Sequence, residues 1–242
     1  MRLAPWPTDP TIGHLVILDH HAAPSKTEIA EMISWATHHQ YRGLRSSALF
    51  TPAADALLDS GFTGIDELVL LRAELSDAPM ISAPRHRVRG LPRRMDRAAA
   101  VVDRQCFGEV WGNDAASIRS IRAATPLHRA SAVIDGELLG FMIAGVGGTT
   151  GYLQRLAVHP EHRRTGIADA LLHDAMQWMS RQRSDHVLVN TGTDNLAALS
   201  LYDRHGFVRL PTVLIVAELD LAPAIVEPDW RRIHPTDLLN DA

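Results

Sequence analysis

Two stretches carry residue types that could do chemistry. In the first, an apolar strand ending, Leu156-Ala157-Val158, leads through a polar turn into Arg163-Arg164-Thr165-Gly166-Ile167-Ala168-Asp169 and a helix. A junction of this kind aims several backbone N–H groups one way, at the positive end of a helix dipole, and can hold a phosphate with no metal or acidic partner. Gly166 lets a ligand approach the backbone, Ala168 keeps the helix close to its sheet, and Arg163 and Arg164 add positive charge. In the second, Asn195, Ala198, Tyr202, Gly206 and Phe207 form the pattern N-x-x-A-x-x-x-Y-x-x-x-G-F. A tyrosine hydroxyl can give up a proton in acid catalysis. An asparagine at a helix start can cap the helix or hydrogen-bond a ligand. Taken alone, Tyr202 reads better as a core residue with a satisfied hydroxyl.

The elements that must position these residues follow from periodicity. Tyr152–Val158 reads as a strand feeding the turn. The helix after it carries Ala168, Leu171, Leu172, Ala175, Met176 and Met179 on one side, which is a core stripe. His186–Thr191 reads as a strand, Asn195 starts a helix closed by Gly206-Phe207, and Val213–Leu219 is a final strand. Upstream, Asp96–Phe107 and Asn113–Ala124 have helical spacing, joined by Gly108-Glu109-Val110-Trp111-Gly112. Ala130–Ile134 and Leu138–Ala144 form a hairpin about Asp135-Gly136. Gly145–Gly151 looks like a dinucleotide loop but precedes a strand instead of a helix, which rules that reading out. Nearer the start, Ile12–Asp19, Leu44–Phe50 and Asp66–Leu75 read as strands. One helix begins at Ser25 with a capping box to Glu28, and another opens on Thr51-Pro52.

Composition narrows the class. A chain of 242 residues, 46% hydrophobic, can bury a full core as one large domain or two small ones. A net charge of −4 argues against general nucleic-acid binding. Cys106 is the only cysteine, so neither an intrachain disulfide nor a thiolate metal cluster is expected. Met1–Pro10 lacks the apolar core of a signal peptide, and no apolar run could span a bilayer. The expectation is a cytoplasmic protein with no membrane partner and no metal.

The turn resembles the acetyl-CoA motif Q/R-x-x-G-x-G/A of the GNAT N-acetyltransferase superfamily, with Arg163, Gly166 and Ala168 in its fixed places. The Asn195–Phe207 pattern resembles that family's second signature, one helix and one strand downstream. Together they cover roughly residues 87–219. In motif the chain is similar to ribosomal-protein alanine acetyltransferases; in pairing two units it is similar to mycothiol synthase. The resemblance implies an α/β (α+β) GNAT fold: a mixed, mostly antiparallel sheet flanked by helices. It implies acetyl-CoA as donor and an amine as acceptor. The pantetheine arm would pair like an added strand with Leu156, Ala157 and Val158, and one backbone N–H there would stabilise the oxyanion. The diphosphate would sit on Arg164–Asp169. Asn195 would touch the cofactor, and Tyr202 would protonate the departing thiolate. Glu109 and Trp111 become candidates for acceptor contact, although ordinary packing explains Trp111 as well.

The order of elements repeats. Ala56-Leu57-Leu58-Asp59-Ser60-Gly61-Phe62 followed by VLLRAEL parallels Leu201-Tyr202-Asp203-Arg204-His205-Gly206-Phe207 followed by VLIVAEL. The expected organisation is a degenerate half-copy over 1–82, a catalytic domain over 83–220 and a tail over 221–242. In the first copy His20-His21-Ala22-Ala23-Pro24 replaces the glycine turn and Leu57 replaces Tyr202. The copy would restrict the acceptor mouth or serve a homodimer contact. The arginines of Asp77–Arg94 read as a solvated linker and edge strand, with attraction of coenzyme A phosphates as the functional alternative.

One departure bears on mechanism. Where ribosomal alanine acetyltransferases have a glutamate base, this chain has Asn190, which takes no proton at neutral pH. Tyr152, a water relay or an amine that arrives neutral would have to substitute. Two classes of function follow: an active N-acetyltransferase acting on a small-molecule or N-terminal amine, or a non-catalytic acetyl-CoA-binding regulatory module.

Overall fold

The computed structural model describes residues 1–17, 22–75 and 85–221. His20 and His21, the predicted linker as far as Pro84 and the predicted tail beyond Leu221 lie outside the described residues. Among the described residues ten strands form a single sheet in the order β1-β2-β3-β10-β4-β9-β8-β7-β6-β5. They are β1 (Arg2–Pro5), β2 (Ile12–Val16), β3 (Gly43–Ser46), β4 (Thr63–Glu74), β5 (Arg89–Gly90), β6 (Leu127–Asp135), β7 (Glu137–Gly147), β8 (Thr150–Val158), β9 (His186–Gly192) and β10 (Val208–Asp220). The described α-helices flank the sheet: α1 (Lys26–His38), α2 (Thr51–Leu58), α3 (Asp96–Trp111), α4 (Ala115–Arg122), α5 (Ile167–Arg181) and α6 (Leu196–Arg204).

Two runs share one order of elements, β2-α1-β3-α2-β4 and β8-α5-β9-α6-β10. In each, the first two strands are parallel across a helix: β2 with β3, and β8 with β9. Each second helix ends in the same way. Gly61 and Gly206 take φ of 94° and 80°, and the N–H of the following phenylalanine returns to the turn, Phe62 to Leu57 O and Phe207 to Tyr202 O. This is a glycine C-cap, available because glycine alone meets no steric penalty at positive φ. The strands that follow do not stay with their own run. β10 inserts between β3 and β4, and β4 inserts between β9 and β10. The two pair antiparallel to each other through Val213↔Val69 and Leu214↔Leu68. Neither run completes a sheet alone.

The core has three parts. One lies beneath α5 and α6, built on Met142, Leu153, Leu171, Leu172 and Phe207. A second lies beneath α1 and α2 around Leu15, Ile29 and Leu57. The third, beneath α3 and α4, uses the other face of β7 through Phe141 and Ile143. Alternation along β7 therefore sorts its residues between two cores.

Several predicted bounds shift. The residues of the predicted strand Leu44–Phe50 pair only up to Ser46, with Leu49 returning as a lone bridge to Ile215. The final strand starts at Val208, five residues early, because β4 offers it a partner. The connection foreseen at Gly108–Gly112 continues the first helix to Trp111, broken at Gly108 (φ 73°, ψ −173°). Arg2–Pro5, unforeseen as a strand, pairs with β2. Arg89–Gly90 is the expected edge strand.

Candidate active site

The site is a fork in the sheet. β8 and β9 pair through Thr150↔His186, Gly151↔Val187 and Tyr152↔Leu188 and no further. Beyond that point Leu156, Ala157 and Val158 keep their β7 partners, Met142, Phe141 and Gly140, but have none on the β9 side. A bulge sits where the strands part: Ala144 pairs with Leu153 and Ile143 with Arg155, so Gln154 has no partner. An extra residue bends the bulged strand, and here it helps β8 turn away from β9.

At the open end of β8, a 3-10 turn at Pro160–His162 leads to Gly166, the N-cap of α5, at φ 92°. Arg164 is also left-handed, at φ 60°. Gly166 has no side chain to cap the helix. Among the described residues the backbone N–H groups of Arg164, Thr165, Gly166, Ile167, Ala168 and Asp169 meet no protein acceptor; the ladder of α5 starts with Ala170 N–H to Gly166 O. The first turn of a helix always leaves such donors over. Here a left-handed arginine and glycine extend the row into the preceding turn. The side chains of Arg163, Arg164 and Thr165 are exposed and Ile167 is buried. His86 braces the turn through a 2.9 Å hydrogen bond between Nε2 and Thr165 O.

Asp169 would bring negative charge to this end of the helix, but its carboxylate is engaged by Arg204 at 3.1 Å and His205 at 3.2 Å. Burial works against its ionisation. The hydrogen bonds from Arg204 and His205 outweigh that and hold the carboxyl below the usual range. The same contacts tie the start of α5 to the end of α6. Asn195 caps α6: Oδ1 accepts from Ala198 N–H at 3.2 Å, and Nδ2 donates to Thr191 Oγ1 at 3.1 Å. The capping alternative is thus what the geometry contains.

Tyr202 lies in the α5–α6 core, 5% exposed, its ring 5.4 Å from that of Phe207. Its hydroxyl makes no protein hydrogen bond among the described residues, so it is not the satisfied core tyrosine of the structural alternative. Burial pushes its pKa far above the ordinary phenol value, which keeps the proton on oxygen throughout the physiological range. Asn190 and Tyr152 are exposed on the two strands of the fork.

The opposite face of β8 is held by α3. Arg155 makes a bidentate pair with the fully buried Asp103, at 2.6 and 2.7 Å, and donates to Trp111 O at 2.8 Å. Its guanidinium stacks 3.5 Å from the centre of the Phe107 ring. Asp103 also accepts from Asn113 N–H. Such a pair, with its lone pairs filled, fixes geometry more than it adds stability. Cys106 Sγ donates to Val158 O at 3.1 Å; burial pushes this thiol up in pKa against the pull of Arg163. The end of α3 also meets the first run. Trp6 Nε1 donates to Val110 O at 2.9 Å, and Arg45, paired with Glu218, lies over the rings of both Trp6 and Trp111. Trp111 is therefore packed against Trp6 and Arg45, and Glu109 is exposed. Sequence reasoning missed Asp103, Gln154, Arg155, Arg45 and Trp6, which share no local motif. A half-buried arginine three residues after an exposed tyrosine is too common a pattern to have singled out the bulge.

Residues 98–207 match the acetyltransferase (GNAT) family. Over 60 residues the chain is 40% identical to N-alpha-acetyltransferase 30 of Saccharomyces cerevisiae, a match covering 25% of this chain and 34% of that protein. The chain thus spans about a third of the length of that relative. Among solved structures it is similar to a GCN5-related N-acetyltransferase from Kribbella flavida, with a TM-score of 0.61, 17% identity and coverage of 87% of this chain and 82% of the other. It is also similar to a tandem GNAT protein from the clavulanic acid biosynthesis pathway, with a TM-score of 0.60, 15% identity and coverage of 82% and 70%. At these identities the likeness is one of fold. The forked sheet, the open helix start after β8 and the family match agree: the chain has the GNAT fold, and residues 98–207 are similar in sequence to the GNAT acetyltransferase family.

Proposed function

We propose that the protein transfers an acyl group, acetyl in the simplest case, from coenzyme A directly to the primary amine of a small molecule or a protein N-terminus. The observation that carries this reading is the row of uncommitted N–H groups from Arg164 to Asp169, set where one arm of the fork ends. A diphosphate accepts several such donors at once, and the α5 dipole favours its charge. The exposed Arg163 and Arg164 lie beside it. Leu156–Val158, unpaired on the fork side, offer an edge for the amides of the pantetheine arm. Asn195 acts mainly by ordering the start of α6, since both ends of its amide are engaged.

Acetyl-CoA supplies a thioester carbonyl. The amine nitrogen bonds to the carbonyl carbon, the C–S bond breaks, the nitrogen gives up one proton, and the departing sulfur takes one from Tyr202. A phenol held protonated by burial, with no protein partner, suits that role. The proton from nitrogen passes to water, directly or relayed by the Tyr152 hydroxyl, and water returns a proton to Tyr202. The name of the yeast relative, an N-alpha-acetyltransferase, favours an α-amine acceptor. The first run of elements is read as a trimmed duplicate of the second, and the packing of Trp6 and Arg45 against the end of α3 favours a role in shaping the acceptor side.

The test is Tyr202→Phe. Its acetyl-CoA affinity should match wild type while turnover falls about 100-fold, the usual scale for loss of a general acid. Unchanged turnover at saturating substrate would remove Tyr202 from the mechanism. One observation favours a second reading, a non-catalytic acetyl-CoA-binding module: Asn190 occupies the place of the base. Thermal stabilisation by acetyl-CoA with no thiol release across a broad amine panel would select it.

A further inference from the structure

The open turn before α5 is propped by a residue from outside its own run. His86 precedes β5 and lies before the matched stretch 98–207. Its Nε2 stands 2.9 Å from Thr165 O. A carbonyl oxygen only accepts, so Nε2 carries the proton and donates. The ring also lies beside the next residue: a Cβ placed on Gly166 would be 4.0 Å from His86 Cδ2. The backbone that delivers the ring is itself anchored. Val88 packs against the core beneath α5 and α6, and Arg89 and Gly90 pair with Ala132 and Ser131 of β6.

Thr165 O and Gly166 N–H belong to one peptide unit. That unit is planar and trans, so its C=O and N–H point in opposite directions. A donor on Thr165 O therefore turns Gly166 N–H away from His86, and this N–H is one of the uncommitted donors of the row. Of the peptides in the row, this one most needs holding. Turning a peptide over reverses the sign of φ in the residue that follows, and glycine accepts either sign. Here that residue is Gly166, at φ 92°. Turned over, the unit would present a carbonyl oxygen where a diphosphate needs a donor. The Thr165 side chain does not prevent this. Its Oγ1 donates to His162 O at 2.7 Å, which leaves the following peptide free to rotate.

We infer that His86 is a positioning residue for the carrier's diphosphate, fixing the Gly166 N–H toward the ligand through its hold on Thr165 O. The inference rests on the acyl-transfer reading above and adds to the carrier site a residue outside the family match. His86 acts through the peptide and not by contact with the diphosphate. A hydrogen bond accepted at the carbonyl also polarises the unit and strengthens its N–H as a donor. The donor is set before the carrier arrives, so none of the binding energy goes into turning it.

The test measures coenzyme A binding by calorimetry across His86 variants, with two competitors that divide the carrier. ADP has the diphosphate and no pantetheine arm; pantetheine has the arm and no diphosphate. His86→Ala should weaken coenzyme A about tenfold, the scale of one hydrogen bond to a charged group. ADP should weaken by the same factor and pantetheine not at all. His86→Gln, whose amide N–H reaches the place of the ring Nε2, should return wild-type affinity. The melting temperature without ligand should stay at the wild-type value, since the bond is exposed. Should the alanine chain fail to fold, His86→Asn, whose amide stops short of Thr165 O, should show the same loss. Wild-type affinity in His86→Ala or its asparagine substitute, equal weakening of ADP and pantetheine, or no recovery in His86→Gln overturns the inference. Failure of wild type to bind coenzyme A is a separate result, which overturns the acyl-transfer reading and this inference with it.

Discussion

The two runs β2-α1-β3-α2-β4 and β8-α5-β9-α6-β10 have the same order, the same parallel pair and the same glycine C-cap, yet only the second contains the candidate site. The difference begins at the first helix of each. α1 starts with a closed capping box: Ser25 Oγ accepts from Glu28 N–H, and Glu28 returns to Ser25 N–H at 2.8 Å. That seals the helix start and places a carboxylate in its first turn. α5 starts with a glycine that has no side chain, and its first N–H groups stay open. The second helix differs too. Leu57 is fully buried and apolar, while its counterpart Tyr202 brings a hydroxyl with no protein partner into the same environment. A capped helix is the more stable solution, and an uncapped one leaves donors for a ligand. The fold is shared; the chemistry depends on which polar groups are left unsatisfied.

The comparison can be broken at its root by separating the runs. A chain starting at Arg85 keeps the whole GNAT match but removes β4 from between β9 and β10, where it pairs from Leu68↔Gly192 to Glu74↔His186 on one side and with β10 on the other. It should be insoluble or lack a cooperative thermal transition; a soluble, cooperatively melting and active product would show that the first run is dispensable. A smaller effect comes from exchanging the caps. Gly166→Ser introduces a side chain at φ 92°, which costs about 1 kcal/mol, and offers a hydroxyl to the open N–H groups. Acetyl-CoA affinity by calorimetry should fall about tenfold, the equivalent of roughly 1.4 kcal/mol. The reverse change, Ser25→Gly, should cost only a few tenths of a kcal/mol and confer no additional coenzyme A site.

The smallest effect is on pH dependence, and it tests both runs together. His14 in the first and His205 in the second are held below the ordinary imidazole range, chiefly by burial, with Arg2 adding to the shift at His14. A folded value below the unfolded one means folding favours the neutral ring. That stability is complete above about pH 6.5 and is lost as pH falls toward the folded value. Asp169 and Asp174 are depressed: burial opposes their charge, but Arg204 and His205, and Arg129 and Ser131, outweigh it. Their contribution is complete above about pH 4 and lost below. Melting temperature should therefore decline in two stages. Replacing His14 with Gln should flatten the first stage by a few degrees, about 2–4 °C for each kcal/mol involved. An unchanged profile would mean that His14 titrates normally.

Much of this was legible beforehand where neighbours in sequence are neighbours in space. The turn at Arg163–Asp169, the cap at Asn195, the capping box at Ser25 and both Gly-Phe helix ends are local, and their residue types specify them. The paired signatures, spaced by one helix and one strand, also carried the resemblance that the match over residues 98–207 repeats. Helix and strand limits were less legible at Ser46 and Val208, because a strand extends only as far as its partner allows.

Sequence by itself determined the open helix start, since glycine at a left-handed N-cap has no side chain with which to close it. It also determined the repeat, since the VLLRAEL and VLIVAEL strands and the Gly-Phe stops can be read directly. Tertiary structure alone decided that those two strands pair with each other and that each completes the other run's sheet. It alone left Gln154 Oε1 buried without a partner and put Tyr202 in the core under α5 and α6. Pairing between residues about 145 positions apart, as at Val69↔Val213, and the presence or absence of a hydrogen-bond partner are properties of assembled surfaces, on which local propensity has no bearing.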